Sequence, residues 1–464
     1  MFLWGTATAA YQIEGATDEA GRGVSIWDTF AHEPGRTRDG HTGDVACDHY
    51  HRWREDVALM AGLGVNAYRF SISWPRVLPL GAGEVNRPGL DFYDRLVDAL
   101  LAAGVRPVPT LFHWDLPQAL EERGGWMSRD VAELFADYAA TVAARLADRV
   151  PLWITLNEPF VHMAYGYAMG LHAPGRLLMT DALPAAHHQL LGHGRAVQAL
   201  RAAGARQVAL TNNCTPVRPA SGEEADLRAA DAYDVLHNRL FNDPVLLAGY
   251  PDLSAYTGHT GSLDFVRDGD LETIATPIDA LGINYYNPTR IAAPTDEGLP
   301  FTDAGITGHP TTAFGWPVVP DGLRELLTGL KARYGAALPP ILITENGCSQ
   351  PDVQEPDGTI ADEARIAFLD RHIAAMRQAM AEGVDVRGYF VWSLLDNFEW
   401  AEGYHQRFGL VHVDFATQRR TPKRSYHWYR RFLEAQKAGQ NTGQHTGQHT
   451  GQDTGQNTDT WTWS

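Results

Sequence analysis

Cysteine and lysine are nearly missing from this 464-residue chain, with three of each. Cys47, Cys214 and Cys348 lie far apart and are odd in number. No C-x-x-C pair suggests zinc, and a chain of this size needs no disulfide framework, so buried free thiols in a reducing compartment are expected. Lys331, Lys423 and Lys437 fall in helical or post-helical segments, which removes the strand-end lysine that a Schiff-base aldolase requires. No apolar run approaches the roughly 20 residues of a membrane span. The opening Met1-Phe2-Leu3-Trp4-Gly5-Thr6 lacks the basic region and long apolar core of a signal peptide, so a cytoplasmic location is expected. Positive charge is short as well: 38 Lys and Arg against 56 Asp and Glu leave a net charge of −18. Such a surface repels nucleic acid and anionic membranes, and it suits a neutral small-molecule partner.

What is present is apolar and aromatic residue, 44% and 10% of the chain, enough for a large core. Short β-type runs at 2–6, 66–72, 106–111, 152–157, 207–212, 280–285, 341–345 and 386–392 alternate with helix-length amphipathic segments. The helices are expected near 51–63, 89–104, 129–148, 185–204, 226–241, 321–334, 361–382 and 423–436, with Gly62, Gly64, Gly104 and Gly383 as stops. Eight strand–helix units in one run predict an α/β fold, a single-domain (β/α)8 TIM barrel over residues 1–437. A doubly wound open sheet is the structural alternative, but no Gly-x-Gly-x-x-Gly turn follows the first strand. From 438 to 464 the chain is a low-complexity tail of five Gly-Gln-x-Thr repeats ending in Trp461 and Trp463. It has almost nothing to bury, which predicts disorder ahead of a polysaccharide-binding role for its tryptophans.

In such a barrel the working residues project from the C-terminal strand ends. Strand three runs into His113-Trp114-Asp115, and strand four ends Thr155-Leu156-Asn157-Glu158-Pro159. Strand six ends Asn284-Tyr285-Tyr286-Asn287, strand seven Thr344-Glu345-Asn346-Gly347, and strand eight Trp392-Ser393. Two acids, several amides and many aromatics on one rim are what a sugar requires. Polar groups bond its hydroxyls, and aromatic faces cover its C–H side. No metal shell or phosphate cradle is legible, and no cofactor is implied. His187, His188 and His193 do not have zincin spacing, so buried or capping roles are expected. Asp44, Asp48, His49 and His51 read as a loop and the start of the first helix.

Thr155-Leu156-Asn157-Glu158-Pro159 and Ile343-Thr344-Glu345-Asn346-Gly347 resemble the two signature motifs of glycoside hydrolase family 1. Phe2 to Gly15 (FLWGTATAAYQIEG) resembles that family's N-terminal signature, and Tyr68–Pro75 (YRFSISWP) and Glu399-Trp400 fit it too. The similarity runs in order over about residues 1–434. It implies a retaining β-glycosidase of the β-glucosidase type, with Glu158 as acid/base and Glu345 as nucleophile. Retention requires the two carboxyl groups about 5–5.5 Å apart. At that distance both cannot ionise cheaply, so one keeps its proton and acts as acid.

Arg69, in a strand expected to be buried, needs a carboxylate partner in the barrel mouth, and the resemblance places it beside Glu345 together with Tyr286 and Asn284. The resemblance also assigns Gln12, His113, Trp114, Asn157, Trp392, Glu399, Trp400 and Phe408 to sugar binding, with Trp316 and Phe160 on the aglycone side. Cys348, three residues after Glu345, suggests sensitivity to thiol reagents. Relatives that act on 6-phosphorylated sugars carry a Ser, a Lys and a Tyr where this chain has Glu399, Gln406 and Phe408, so a free sugar is expected. The expected activity is exo-hydrolysis of terminal β-D-glucosyl residues from O-glycosides and short β-gluco-oligosaccharides, as in cellobiose degradation. β-Galactosidase or β-fucosidase activity is the alternative, and a non-catalytic sugar-binding barrel a more distant one.

Overall fold

The computed structural model describes residues 1–257, 263–295 and 298–445. Eight parallel strands close into a barrel: β1 (Leu3–Ala7), β2 (Ala67–Ser71), β3 (Arg106–Phe112), β4 (Leu152–Asn157), β5 (Gln207–Asn213), β6 (Ala280–Asn284), β7 (Ile341–Asn346) and β8 (Val386–Trp392). Each pairs with its sequence neighbours. The ring is shut by β1 against β8, in register from Leu3 opposite Gly388 to Ala7 opposite Trp392. Because helices cover the outside and side chains fill the inside, every residue of β1, β2, β4, β6 and β7 is buried. That explains their near-continuous apolar sequences. All eight strands lie within two residues of the expected bounds.

The outer helices are α1 (His49–Leu63), α2 (Arg87–Ala102), α3 (Asp130–Leu146), α4 (Leu183–Ala202), α5 (Glu224–Asp234), α6 (Pro320–Tyr334), α7 (Glu363–Ala381) and α8 (Arg424–His445). α3 shows the cause. Val131, Ala132, Phe135, Tyr138, Ala139, Val142, Ala143 and Leu146 are buried, three to four residues apart on one stripe. Gly64 ends α1 at φ 85°, in the left-handed region where glycine carries no Cβ penalty. Gly62, expected as another stop, lies inside that helix.

The helix expected over 226–241 stops at Asp234. A wide turn follows at 235–239, and a further helix, Leu240–Leu247, carries Pro244 inside it. Proline removes a backbone donor and crowds the preceding turn, so one regular helix cannot run through this stretch. α8 continues past Lys437 to His445, the first part of the repeat tail. Residues 446–464, with the rest of the repeats and both terminal tryptophans, lie outside the described residues.

Strand register breaks where the rim begins. β4 and β5 pair regularly to Ile154 and then shift before Asn157, while β7 shifts against both neighbours after Ile343. Bulges of this kind re-aim side chains at a barrel rim. The two shifts sit directly before Glu158 and at Glu345.

Candidate active site

Glu345, near the end of β7, is buried in the barrel mouth. Its Oε1 accepts from Arg69 Nη1 at 2.5 Å and its Oε2 from the Tyr286 hydroxyl at 2.6 Å. Arg69 is fully buried on β2 and spends its other donors on Asn157 Oδ1 (2.5 Å), Thr110 Oγ1 (3.2 Å) and the Thr344 carbonyl (3.4 Å). The expected functional partner and a structural ion pair beneath the site are thus one arrangement. The conformation of β7 depends on Gly347. A Cβ there would fall onto the Trp392 carbonyl oxygen, so only glycine lets the two strand ends approach so closely.

Glu158 follows β4 with a left-handed backbone, φ 46°, before Pro159. Among the described residues no cation touches it. Its Oε1 accepts from Asn284 Nδ2 at 2.6 Å and from Asn213 Nδ2 at 3.3 Å. Asn284, expected beside Glu345, stands between the two acids: its amide also bonds Asn157 Oδ1 (3.1 Å) and helps to steady the Glu345 charge.

The difference in partners separates the two carboxyls electrostatically. Burial, and after it the Glu345 charge, pushes Glu158 up to about 8. Burial raises Glu345 as well, but Arg69 and the Tyr286 hydroxyl pull against that rise. The proton therefore sits on Glu158 and the charge on Glu345.

Beyond the pair, His113, Trp392, Glu399 and Trp400 wall the inner end of one cavity of 810 Å³ that also contains both glutamates. Asn157 Oδ1 faces two donors, so its amide nitrogen must turn to His113 Nε2, 2.9 Å away. Burial and the Arg69 charge hold the His113 pKa well below its usual value. The ring is then neutral, with its proton on Nδ1, an atom without a partner among the described residues. Gln12 Nε2 donates to the Phe398 carbonyl (2.8 Å), Asn397 Oδ1 (3.1 Å) and Glu399 Oε2 (3.4 Å). This leaves Gln12 Oε1 as a second unpartnered group. Gln12 is not itself a wall residue; it sits behind Glu399.

Trp114 lines the cavity at φ 76° and donates its indole N–H to the Asn157 carbonyl at 2.8 Å. Toward the mouth, Phe160, Trp316 and Phe408 also line it, and Trp316 packs between Tyr286 (5.2 Å) and Phe408 (6.1 Å). Arg69, Asn284 and Gln12 are thus supports behind the wall, and the other residues expected at the site are wall residues.

The glycosyl hydrolase family 1 model matches residues 1–438. The chain belongs to glycosyl hydrolase family 1. Within the family it is 51% identical over 436 residues to the thermostable beta-glucosidase B of Thermobispora bispora, covering 92% of this chain and 89% of that one. It is 47% identical over 462 residues to the bifunctional beta-D-glucosidase/beta-D-fucosidase of Bifidobacterium breve, covering 94% and 98%. Among solved structures, the family 1 b-glucosidase from Thermotoga maritima superposes with a TM-score of 0.90 at 44% identity, covering 93% of this chain and 97% of that one. The psychrophilic beta-glucosidase from Micrococcus antarcticus does so with a TM-score of 0.90 at 48%, covering 94% and 97%.

Other polar clusters of this family 1 chain are occupied. His187 bridges Tyr250 (2.8 Å) and Asp270 (2.9 Å), His188 bonds the Trp126 carbonyl and His193 bonds Thr155. His49 opens α1 and pairs with Asp56, while His51 pairs with Asp48 and His32 with Asp44. Asp39, His41 and His405 converge on the surface in a group the sequence hid, since His405 lies more than 360 residues after the other two. His405 is already bonded to Asp39 (2.7 Å), and His41 Nδ1 accepts the Tyr404 amide (3.1 Å).

Cys348 corrects an expectation. It is fully buried, and desolvation pushes its thiol up to about 11, so reagents neither reach nor find a thiolate. Asn213 ends β5 and bonds Glu158 from outside the expected set; its signal is the polar Thr211-Asn212-Asn213 end of that strand. No helix among the described residues is long and apolar enough to cross a membrane.

Proposed function

We propose that this family 1 enzyme is a retaining, exo-acting β-glucosidase in which Glu345 attacks the anomeric carbon and Glu158 is acid, then base. One observation carries the reading. Of two buried carboxyls, one is held by Arg69 and Tyr286, while the other has amide partners and keeps its proton. In the first half-reaction Glu158 protonates the leaving oxygen as the Glu345 carboxylate forms a glycosyl ester. That ester removes the charge which raised Glu158. Its pKa falls, and it can take a proton from the incoming water. The oxocarbenium-like transition state gains where Asn157, fixed by Arg69 and Asn284, faces the sugar's 2-hydroxyl.

Glucose fits the inner wall. His113 Nδ1–H offers a donor, while Glu399, braced from behind by Gln12 and pushed up to about 8 by burial and by both catalytic acids, carries an O–H of its own. Trp392 and Trp400 supply the apolar faces. A phosphorylated sugar is disfavoured, because a neutral Glu399 gives its phosphate no counter-charge and the uncharged Gln406 is spent on Ser349 (2.7 Å) and Glu402 (3.3 Å). β-Fucosides and β-galactosides are expected side substrates, in keeping with the bifunctional relative from Bifidobacterium breve. Free buried thiols at all three cysteines suit a reducing, cytoplasmic setting. The catalytic unit spans 1–437, and the Gly-Gln-x-Thr repeats from 438 onward lie outside it.

The test is turnover of nitrophenyl β-glucoside, β-galactoside and 6-phospho-β-glucoside by the purified protein. The first should be fastest and the last negligible. Preference for the phosphorylated sugar would overturn the assignment of Glu399.

A further inference from the structure

α5 does not run straight into the next helix; the chain makes the wide turn Val235–Arg239 between them. Turns of this kind re-aim side chains and recur at functional sites. Here the turn sends His237 into the cavity wall. Its buried ring lies on Phe160, two residues after Glu158, at a centroid distance of 4.0 Å.

Both ring nitrogens are engaged. Nδ1 meets the Tyr233 hydroxyl at 3.1 Å, one helical turn back, and Nε2 meets Asn213 Oδ1 at 2.9 Å. The other end of the Asn213 side chain, Nδ2, reaches Glu158 Oε1 at 3.3 Å. Tyr233, His237, Asn213 and Glu158 thus form one chain of hydrogen bonds, from α5 through the end of β5 to the acid/base. Its direction follows from its last member. A carboxylate can only accept, so when Glu158 is ionised Asn213 must turn its N–H toward it. Asn213 Oδ1 then accepts from His237 Nε2–H, and the bare Nδ1 accepts from the Tyr233 hydroxyl. Burial pushes His237 down to about 3, so the ring stays neutral and has a single proton to place.

We infer that His237 is a positioning residue for the acid/base: it holds the Asn213 N–H toward Glu158, favours the carboxylate, and so serves the half-reaction in which Glu158 is the base. Without Nε2–H the amide is free to turn over, and its oxygen then accepts the proton of the acid form instead. Glu158 is also faced by the carboxyls of Glu345 and Glu399, the Arg69 guanidinium, the phenols of Tyr165 and Tyr286 and the Cys214 thiol. A change at His237 leaves all of these in place, so any altered titration of Glu158 reports the Asn213 amide.

The test is the pH profile of His237→Phe, which keeps a ring against Phe160 but carries no N–H. With an alkyl β-glucoside the alkaline limb of kcat/KM should move up by about half a pH unit. With dinitrophenyl β-glucoside, whose leaving group needs no proton, kcat limited by hydrolysis of the glycosyl ester should fall roughly threefold, with kcat/KM almost unchanged. His237→Gln can present an amide N–H in place of Nε2–H and should return both readouts to the parent's values. Tyr233→Phe, a change at a half-buried ring, should move the limb the same way by less. In an Asn213→Ala background His237→Phe should add nothing. An unmoved limb in His237→Phe, the same shift with or without the Asn213 amide, or His237→Gln behaving as His237→Phe does would overturn the inference alone. The inference rests on Glu158 serving as acid and then base; a limb that survives Glu158→Gln would overturn that reading, and the inference with it.

Discussion

The ends of β4 and β7 carry the same side chain into the same cavity and treat it in opposite ways. Glu345 meets a guanidinium and a phenol; Glu158 meets two amides and no cation. Both are buried, so burial alone would raise both. Only the neighbours tell them apart, and those neighbours come from other strands: Arg69 from β2, Asn284 from β6, and Tyr286 from just beyond it. Chemical role here is a property of the assembled rim. The glutamate type by itself carries none.

The sharpest way to break this contrast is to delete the charged member. Glu345→Gly should lower turnover by roughly 10⁴-fold or more. With added azide and an activated glucoside it should yield the α-glycosyl azide, seen in the anomeric coupling by NMR. A β-azide would reverse the two assignments. Next comes Glu158→Gln, which should cost about 10³-fold on alkyl glucosides but far less on dinitrophenyl glucoside, whose leaving group needs no proton. In the parent enzyme kcat/KM should fall as pH rises through about 8, where Glu158 loses its acid proton. The glutamine variant should lose that alkaline limb.

Arg69→Met attacks the contrast from the side of its cause. Without the guanidinium, Glu345 should hold its proton to higher pH. The acid limb of the profile should therefore move up by about one unit or more, with kcat/KM down about 10²-fold. An unmoved acid limb would show that something else keeps Glu345 charged. Tyr286→Phe removes a single hydrogen bond to a charged group. It should cost about tenfold and shift the acid limb slightly in the same direction.

The barrel was legible because its strands are buried on both faces and its helices on one, and each condition writes a different period into the sequence. Helix ends were less so. Gly62 and Gly64 look alike in sequence, but only Gly64 occupies a left-handed position. The small pairings outside the barrel, such as the parallel one of Val217–Pro219 with Thr289–Ala292, were not foreseen, since two to four residues carry too little pattern. In the site, the two glutamates and Arg69 could be named from strand ends and from the cost of burying a lone charge. The position of Asn284 between the acids could not, because it depends on the register shifts beside Glu158 and Glu345.

The seam between β1 and β8 has a temporal consequence. Gln12 finds its acceptors at Asn397 and Phe398, some 385 residues later in the chain. A ribosome that has delivered only seven strands has released an unclosed sheet with two free edges and half of a sugar pocket. Recognition of the sugar is therefore withheld until roughly the last sixth of synthesis, and premature termination upstream of Val386 leaves a product that cannot hold a sugar even though both of its glutamates are present.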